Sequence, residues 1–484
     1  MHLLRPLSFT FLAAVALGPL AACTSDIEPV PAAGDPSGQG GQANTASIGP
    51  TFHKDITPLF NKHCNDCHRS GGIAPFSLMT YGEAKANAGA AMYQTEEGIM
   101  PPWHANDSDA CKTTHKWKDD MRLTAAEKAL IRAWNEAGTP EGNPADAPPA
   151  FVPHKAGLTA PTGTLSPAKP FVTSGNADQF RCFVLDPNLT ADAYLKGIAV
   201  LPGDPKVVHH ALVFADEKRE SLALADADGG YTCFGDSRTS EPKLVGAWAP
   251  GGLPEEFPGN AGIPIAKGSL LVMQIHYHPG GSAGSPDATR LEVAFTEEKP
   301  AYTVFPLLLG NASNEKQGLL VGPNDRDGVA EFRIPSNVSG HSETMEYKIA
   351  KGTLAAGGLP QEIGVYSSAT HMHWVGRDMR IEIEHGSEAG GFAQGQNECL
   401  LGTPDYDFSW QRSYRYDAEI EALPKIRGGD TIRLSCTYDN TKANRRLMGA
   451  LKDEHITEPV DVTLGEATTN EMCIASIALI FPSP

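Results

Sequence analysis

Val207-Val208-His209-His210-Ala211-Leu212-Val213-Phe214 is a run of apolar, mostly β-branched or aromatic residues with two adjacent imidazoles inside it. Runs of the same kind recur at Ser269–His276, Met379–Glu384, Asp430–Tyr438 and Val460–Leu464, with Gly and Pro turns between them. That is the pattern of antiparallel sandwich sheets. The 49 Gly and 38 Pro of the chain agree with many turns and speak against a helix bundle. From residue 171 onward, about 310 residues of this character exceed what one sandwich needs. Two all-β, jelly-roll-like antiparallel sandwiches are therefore expected, over residues 171–300 and 301–484, with the seam near Lys299-Pro300.

Upstream the pattern changes. Thr124-Ala125-Ala126-Glu127 reads as a capping box, Glu127, Leu130, Ile131 and Trp134 follow at helical spacing, and Gly138 is placed to end the helix. Residues 51–140 are accordingly expected to form a small all-α domain. Eight prolines from Pro140 to Pro170 make 141–170 a semi-extended linker. A multidomain chain fits the 484 residues, since a single core stops growing near ~250–300. Lys and Arg total 39 against 58 Asp and Glu, a net charge of −19. Such a surface repels phosphate backbones, which excludes nucleic acid as the main partner and disfavours anionic membrane patches.

The first 22 residues read as a targeting segment, with Arg5 as its positive end and Leu7 to Leu20 as its apolar run. Leu20-Ala21-Ala22-Cys23 resembles the bacterial lipobox, which implies that Cys23 carries a lipid anchor; the alternative is a plain secretory signal. Residues 23–50, rich in Gly, Ala, Ser and Pro and without an aromatic, are expected to be a flexible tether. Either way the protein is expected to leave the cytoplasm; with the lipid anchor it would sit on a bacterial membrane facing the periplasm or the exterior and touch that membrane by the anchor only. Of nine Cys, setting aside Cys23, Cys64 and Cys67 leaves six, an even number available for disulfides in an oxidising compartment.

Cys64-Asn65-Asp66-Cys67-His68 is a C-x-x-C-H run, in which two thiols can take haem vinyl groups as thioethers and the next residue offers an imidazole to the iron. A redox C-x-x-C needs a βαβ setting and a zinc site needs two further close ligands, and neither is present. Ile56, Leu59 and Phe60 before the motif are compatible with a helix. For the sixth ligand, Met100 in Gly98-Ile99-Met100-Pro101-Pro102-Trp103 is the first candidate because two prolines stiffen its loop, with Met79 and Met92 as rivals. The segment resembles small single-haem c-type cytochromes fused to oxidoreductases, on Cys64 to His68, Gly71-Gly72-Ile73-Ala74-Pro75-Phe76 and Met100-Pro101-Pro102-Trp103-His104. One covalently bound haem c is what that resemblance implies.

The 16 His are unevenly placed: His209-His210, His276-Tyr277-His278 and His371-Met372-His373 lie in or beside expected strands. H-x-H on a strand puts both imidazoles on one face, as a shared metal requires. Adjacent His209 and His210 should point to opposite faces and can bind one ion only at a twisted or bulged strand end. Spacing alone thus favours His276 with His278 and leaves His209-His210 open. Imidazole-rich sites suit Cu, Zn, Fe or Ni, and an added thioether favours copper.

Five segments of this region, in order, resemble the copper type II, ascorbate-dependent monooxygenases, a family that includes the peptide-amidating monooxygenase and dopamine beta-monooxygenase. They are Gln179-Phe180-Arg181-Cys182, Val207 to Phe214, Gln274-Ile275-His276-Tyr277, Thr370-His371-Met372-His373-Trp374-Val375-Gly376 and Asn470-Glu471-Met472-Cys473. The resemblance implies two copper ions, one held by His209, His210 and His276 and a second, catalytic one held by His371, His373 and Met472. His278 then becomes an extra histidine. It also implies disulfides Cys182–Cys233 and Cys436–Cys473, while Cys111 and Cys399 have no counterparts and either pair with each other or stay as thiols.

The chain departs from the family at several places. Gly364 stands where a His is usual and Met372 where Thr is usual. Ala369, Ile474 and Ser476 occupy the places of the Arg, Asn and Tyr that bind a substrate carboxylate in the peptide-amidating branch. The expected function is insertion of one atom of O2 into a C–H bond of a small organic substrate. An external electron donor would feed it through the fused haem, with or without an ascorbate-like donor. The alternative is an electron-transfer or copper-binding lipoprotein without oxygenase activity.

Overall fold

The strand that carries His276, Leu270–Tyr277, is buried at all eight of its positions, because both its faces are covered; alternation is lost where neither side meets water. In the computed structural model, residues 49–484 are described apart from 155–156, 176, 251, 280–283, 312–316, 389, 466 and 468. The expected signal segment 1–22, Cys23 and nearly all of the tether 23–50 lie outside the described residues. No helix among the described residues is long and apolar enough to cross a membrane.

The chain is mostly β-sheet with few helices, consistent with sandwich domains. A five-stranded antiparallel sheet has the order Gly230–Thr232, Gln179–Leu185, Leu270–Tyr277, Val208–Asp216, Lys243–Trp248, all from residues 171–300. A four-stranded sheet, Ser339–Lys348, Thr431–Asp439, Gly376–Glu384, Asn397–Thr403, comes from 301–484. Its strand Thr431–Asp439 alternates strictly between buried and half-buried positions, the period of two expected where one face is less covered. The third, ten-stranded sheet draws on both halves. At the expected seam, Tyr302–Gly310 runs parallel to Ala261–Ile265, with Tyr302 opposite Ala261 and Thr303 opposite Gly262. One apolar core runs through these three larger sheets, beside which two two-stranded sheets form.

Residues 51–140 contain the helices Thr57–His63, Tyr81–Ala86, Ala88–Glu96 and Ala125–Glu136. The Thr124 hydroxyl accepts from the Glu127 N–H and the Glu127 carboxylate accepts from the Thr124 N–H. Gly138 takes the left-handed conformation, φ 81°, beyond the helix end. Phe52, Ile56, Phe60, Ile131 and Trp134 form a small core of their own. This region is not a self-contained helical unit, however. Trp103 and Trp117 are buried in the β core, Trp117 stacks on Tyr416 at 5.0 Å, and Cys111 is disulfide-bonded to Cys399. The reason is apolar area: packed against Tyr414 and Tyr416, the two indole rings are removed from water.

The expected linker is likewise partly docked. Leu158 is fully buried, and Gly163–Leu165 pairs antiparallel with Leu291–Val293 as an edge strand of the ten-stranded sheet. Proline-rich backbone is extended, which is also what an edge strand requires, and Pro161 and Pro167 flank these three residues without removing their N–H groups.

Candidate metal centres

His209 and His210 are adjacent on one strand, yet both reach His276. The register explains it: His276 lies opposite His210, but Tyr277 lies opposite Val208, so His209 is the extra residue of a β-bulge. The ligating atoms of the three imidazoles all lie within 4.8 Å of one another. The Nδ1 atoms of His209 and His210 are 3.2 Å apart, close to the roughly 3.3 Å separating two nitrogens bound to one tetrahedral ion at about 2.0 Å. His276 is 2% exposed, and neither of its ring nitrogens makes a well-aligned hydrogen bond. Buried polar atoms without partners are costly, and a metal ion at Nδ1 would satisfy one of them. Burial, and after it the neighbouring imidazoles, hold His209 and His210 well below the ordinary histidine range, so both offer the neutral ring that a metal needs.

Asp178 organises this set. Its Oδ2 lies 3.3 Å from His276 Nε2 and its Oδ1 lies 2.6 Å from His278 Nδ1. A carboxylate at Nε2 fixes the proton there and leaves Nδ1 as the ligand atom. Burial works against the Asp178 charge, but the two imidazoles outweigh it and hold the carboxyl below its usual range. His276 and His278 thus meet at a carboxylate, and among the described residues the cluster of close imidazoles is His209, His210 and His276. Phe180 stacks on His276 at 4.3 Å and Phe408 on His209 at 4.7 Å.

The second set presents the opposite ring nitrogen. His371 ends the strand Glu362–His371 and its Nδ1 is 2.7 Å from Gln411 Oε1. His373 Nδ1 is 3.1 Å from the Asn470 carbonyl. Both acceptors take the Nδ1 proton and leave Nε2 for a ligand. Burial pushes His371 down to about 4 and His373 to about 3. Their ring centroids are 5.1 Å apart, and Met372 between them is buried, its carbonyl accepting from the Tyr406 hydroxyl at 2.7 Å.

Met472 is brought beside them by the pairing of His371 with Ile474 and held by three anchors. These are the Cys436–Cys473 disulfide, the Tyr438 hydroxyl donating to the Met472 carbonyl at 3.1 Å, and the Glu471 carboxylate. That carboxylate accepts from Met472 N–H at 2.8 Å and from His373 N–H, so it ties the H-x-H turn to the methionine. Burial pushes Glu471 up to about 8 despite these donors. Gly310, φ 116°, is needed here, since a side chain would meet the Cys473 carbonyl at 2.0 Å.

The two sets face one cavity of about 260 Å³ lined by His210, His276, His371, His373 and Met472. The His210 and His371 ring centroids are 6.3 Å apart. Ala369, Ile474 and Ser476 line the same cavity, so the places where a carboxylate clamp would stand are present and uncharged.

Cys64 and Cys67 are the described cysteines outside any disulfide, whereas Cys182–Cys233 and Cys436–Cys473 form as the resemblance implied and Cys111 pairs with Cys399. Burial, then Cys67, pushes the Cys64 thiol up to about 12. His68 Nδ1 is 3.1 Å from the Phe76 carbonyl, which again leaves Nε2 to ligate. Gly72 lies so close beneath the motif that a Cβ would meet the Cys67 carbonyl at 2.1 Å. Ile73, Phe76 and Ile99 are exposed, at 46%, 39% and 50%. Met100 is half-buried, its N–H bonded to Gln94 O at 3.0 Å. The Met92 sulfur accepts from Asn135 at 3.4 Å, and Met79 is half-buried. Asp178, Phe408 and Gln411 escaped sequence reasoning, because none lies in a motif and each acts across a fold contact.

Two unequal ligand sets facing one cavity, in sandwich sheets, define a candidate dinuclear metal centre. No family model matches the chain. It is 22% identical over 286 residues to a tyramine beta-hydroxylase of Caenorhabditis briggsae, covering 57% of this chain and 40% of that protein. It is 22% identical over 282 residues to the DBH-like monooxygenase protein 2 of Mus musculus, covering 55% and 37%. The chain thus spans about two fifths of the length of these curated relatives, and the similarity supports a distant kinship with dopamine beta-hydroxylase-like proteins. Among solved structures, the capsid protein P2 of bacteriophage PM2 and peptide N-glycanase F each align over 66% of this chain, and over 98% and 96% of their own. Their TM-scores of 0.23, at 10% and 12% identity, are too low to bear on the fold.

Proposed function

We propose that the chain is an exported, copper-dependent monooxygenase that hydroxylates a C–H bond of a small organic substrate, with electrons supplied through a haem at Cys64, Cys67 and His68. The observation that carries the reading is the inequality of the two facing ligand sets. One is all imidazole and the other contains a thioether, and only the second needs a soft ligand that favours Cu(I). The overall reaction adds one oxygen atom of O2 to substrate and reduces the other to water with two electrons and two protons. Copper, when bound, would supply one-electron redox chemistry and O2 activation; haem would supply a one-electron carrier, with Met100 as its proposed sixth ligand.

The chain's own residues do the rest. Gln411 and the Asn470 carbonyl hold the Nδ1 protons of His371 and His373, and Asp178 sits at the far nitrogen of His276, so each ring is pre-oriented before a metal arrives. The walls at Leu212, Val245, Trp248 and Leu308 fit the apolar part of a substrate, while Lys118, Glu255, Arg412 and Arg415 give the same cavity a charged side. Ala369, Ile474 and Ser476 offer no cation for a carboxylate, which disfavours peptide-glycine amidation. The relatives' names support an oxidoreductase of this type. The three disulfides support an oxidising compartment, and we propose a lipid anchor at Cys23.

Metal analysis together with O2 uptake over a panel of small apolar substrates tests the reading. Two coppers per chain, haem that stays attached through denaturation, and O2 uptake matched by hydroxylated product are expected. Copper and haem without coupled product would leave an electron-transfer lipoprotein in its place.

A further inference from the structure

In the simplest order of events, an electron from the haem would reach the His209/His210/His276 set first. The contacts between the C-x-x-C-H segment and the ligands lead to the other set. His63, the residue before Cys64, donates from Nδ1 to the Met121 carbonyl at 3.1 Å. The Met121 sulfur accepts from Arg412 Nη1 at 2.9 Å. Arg412 lies over the Trp103 ring at 5.2 Å and is close enough to Cys67 for its charge to act on that thiol. Its neighbour Gln411 accepts from His371 Nδ1 at 2.7 Å. Trp103, Arg412, Gln411 and His371 line one cavity wall. By contrast, among the described residues, the first set is reached from Gln411 by a longer path, in which Gln411 Nε2 donates to the Phe408 carbonyl at 3.1 Å and the Phe408 ring stacks on His209 at 4.7 Å, with no hydrogen bond from Gln411 to a ring of that set.

We propose that Gln411 and Arg412 form the entry route by which an electron passes from a haem at Cys64–His68 to the copper held by His371, His373 and Met472. The proposal rests on the function proposed above. Electronic coupling decays less steeply along covalent and hydrogen bonds than across gaps, and this route is a peptide link ending in a hydrogen bond to a ligand ring. The step is a one-electron exchange: ferrous haem becomes ferric, one cupric ion becomes cuprous, and no proton leaves the pair. The first set then fills from the second across the facing rings of His210 and His371, 6.3 Å apart.

The test uses full-length protein loaded with haem and copper, both quantified beforehand. With O2 excluded and both coppers cupric, the haem is reduced by a laser flash, and its reoxidation is followed beside the loss of the Cu(II) spin-resonance signals. Those signals are assigned with His373→Ala and His276→Ala. The signal missing in His373→Ala should bleach first. Gln411→Leu also loosens the His371 ring, so it is compared with the second copper brought to saturation by added Cu(II) and its occupancy measured; per loaded centre it should slow haem reoxidation tenfold or more, Gln411→Glu, which keeps an acceptor for His371, should restore it, and Arg412→Met should slow it with the His371 contact intact. First bleaching of the signal missing in His276→Ala, or wild-type rates in both Gln411→Leu and Arg412→Met, would overturn the route alone. Failure of the wild type to load haem or copper would overturn the route together with the proposed function.

Discussion

The two histidine sets are built from the same side chain and present opposite faces of it. In the first, a carboxylate at the Nε2 of His276 and the 3.2 Å approach of two Nδ1 atoms direct Nδ1 inward. In the second, an amide oxygen and a backbone carbonyl take the Nδ1 protons of His371 and His373, and Nε2 is turned inward. A ring nitrogen becomes a ligand or a donor according to the partner its opposite edge meets. The metal-binding competence of these histidines therefore resides as much in Asp178, Gln411 and Asn470 as in the imidazoles. The sets also differ in charge support: one is backed by a carboxylate, the other by neutral groups and a thioether, so with the proposed coppers bound the first would better sustain Cu(II) and the second Cu(I).

The sharpest way to break this comparison is to erase the thioether. Met472→His should retain both coppers, because imidazole is an adequate ligand, while substrate-coupled O2 consumption falls by roughly two or more orders of magnitude. Coupled turnover that survives the change would mean that the inequality of the sets is irrelevant. Metal counting comes next. His276→Ala should lose one of two coppers by atomic absorption and His278→Ala none, since His278 bonds Asp178 and approaches His209 only ring edge to ring at 6.2 Å; the reverse result would restore the strand-face pairing.

Smaller effects should separate the outer shells. Asp178→Ala should weaken copper at the first set by about 10- to 100-fold, read by competitive chelation, and leave the second set unaltered. Removing the Cys436–Cys473 bridge by Cys436→Ala with Cys473→Ala should cost roughly 2–4 kcal/mol in denaturant unfolding and loosen the second copper before the first, because the bridge adjoins Met472. The smallest effect lies in the helical segment. Burial opposes the Glu127 charge, but hydrogen bonds from Lys62, Thr124 and His63 hold its carboxyl at about 2 against an ordinary 4.5. A depressed folded value contributes stability above the unfolded one, so this contribution should be complete above pH 4.5 and fade as pH falls toward 2. Glu127→Gln should flatten that part of the stability profile and cost about 1 kcal/mol at neutral pH.

Much of this could be read along the chain. The β-branched runs became strands within a few residues of their expected limits, Val207–Phe214 as Val208–Asp216 and Asp430–Tyr438 as Thr431–Asp439. The Thr124 capping box began a helix where it was expected. These features are local: a period of two and a side-chain cap involve residues four or fewer positions apart, and dihedral preference is enough to express them. The histidine runs were equally visible, and so was the condition on His209 and His210, that only a bulge lets neighbours share a ligand cluster. Whether the bulge existed was not visible, because it depends on how Tyr277 registers against Val208 on another strand.

What the amino-acid order determined by itself was therefore the kind of element at each place and the stock of ligating side chains. The tertiary structure decided which of them meet. Asp178 finds His278 across 100 residues, Gln411 finds His371 across 40, and Cys111 finds Cys399 across 288. It also drew Trp103 and Trp117 out of the helical segment into the β core, and part of the proline-rich stretch onto a sheet edge. Such contacts follow from burying the largest apolar area and satisfying buried donors across the whole chain, and no window of neighbouring residues contains that sum.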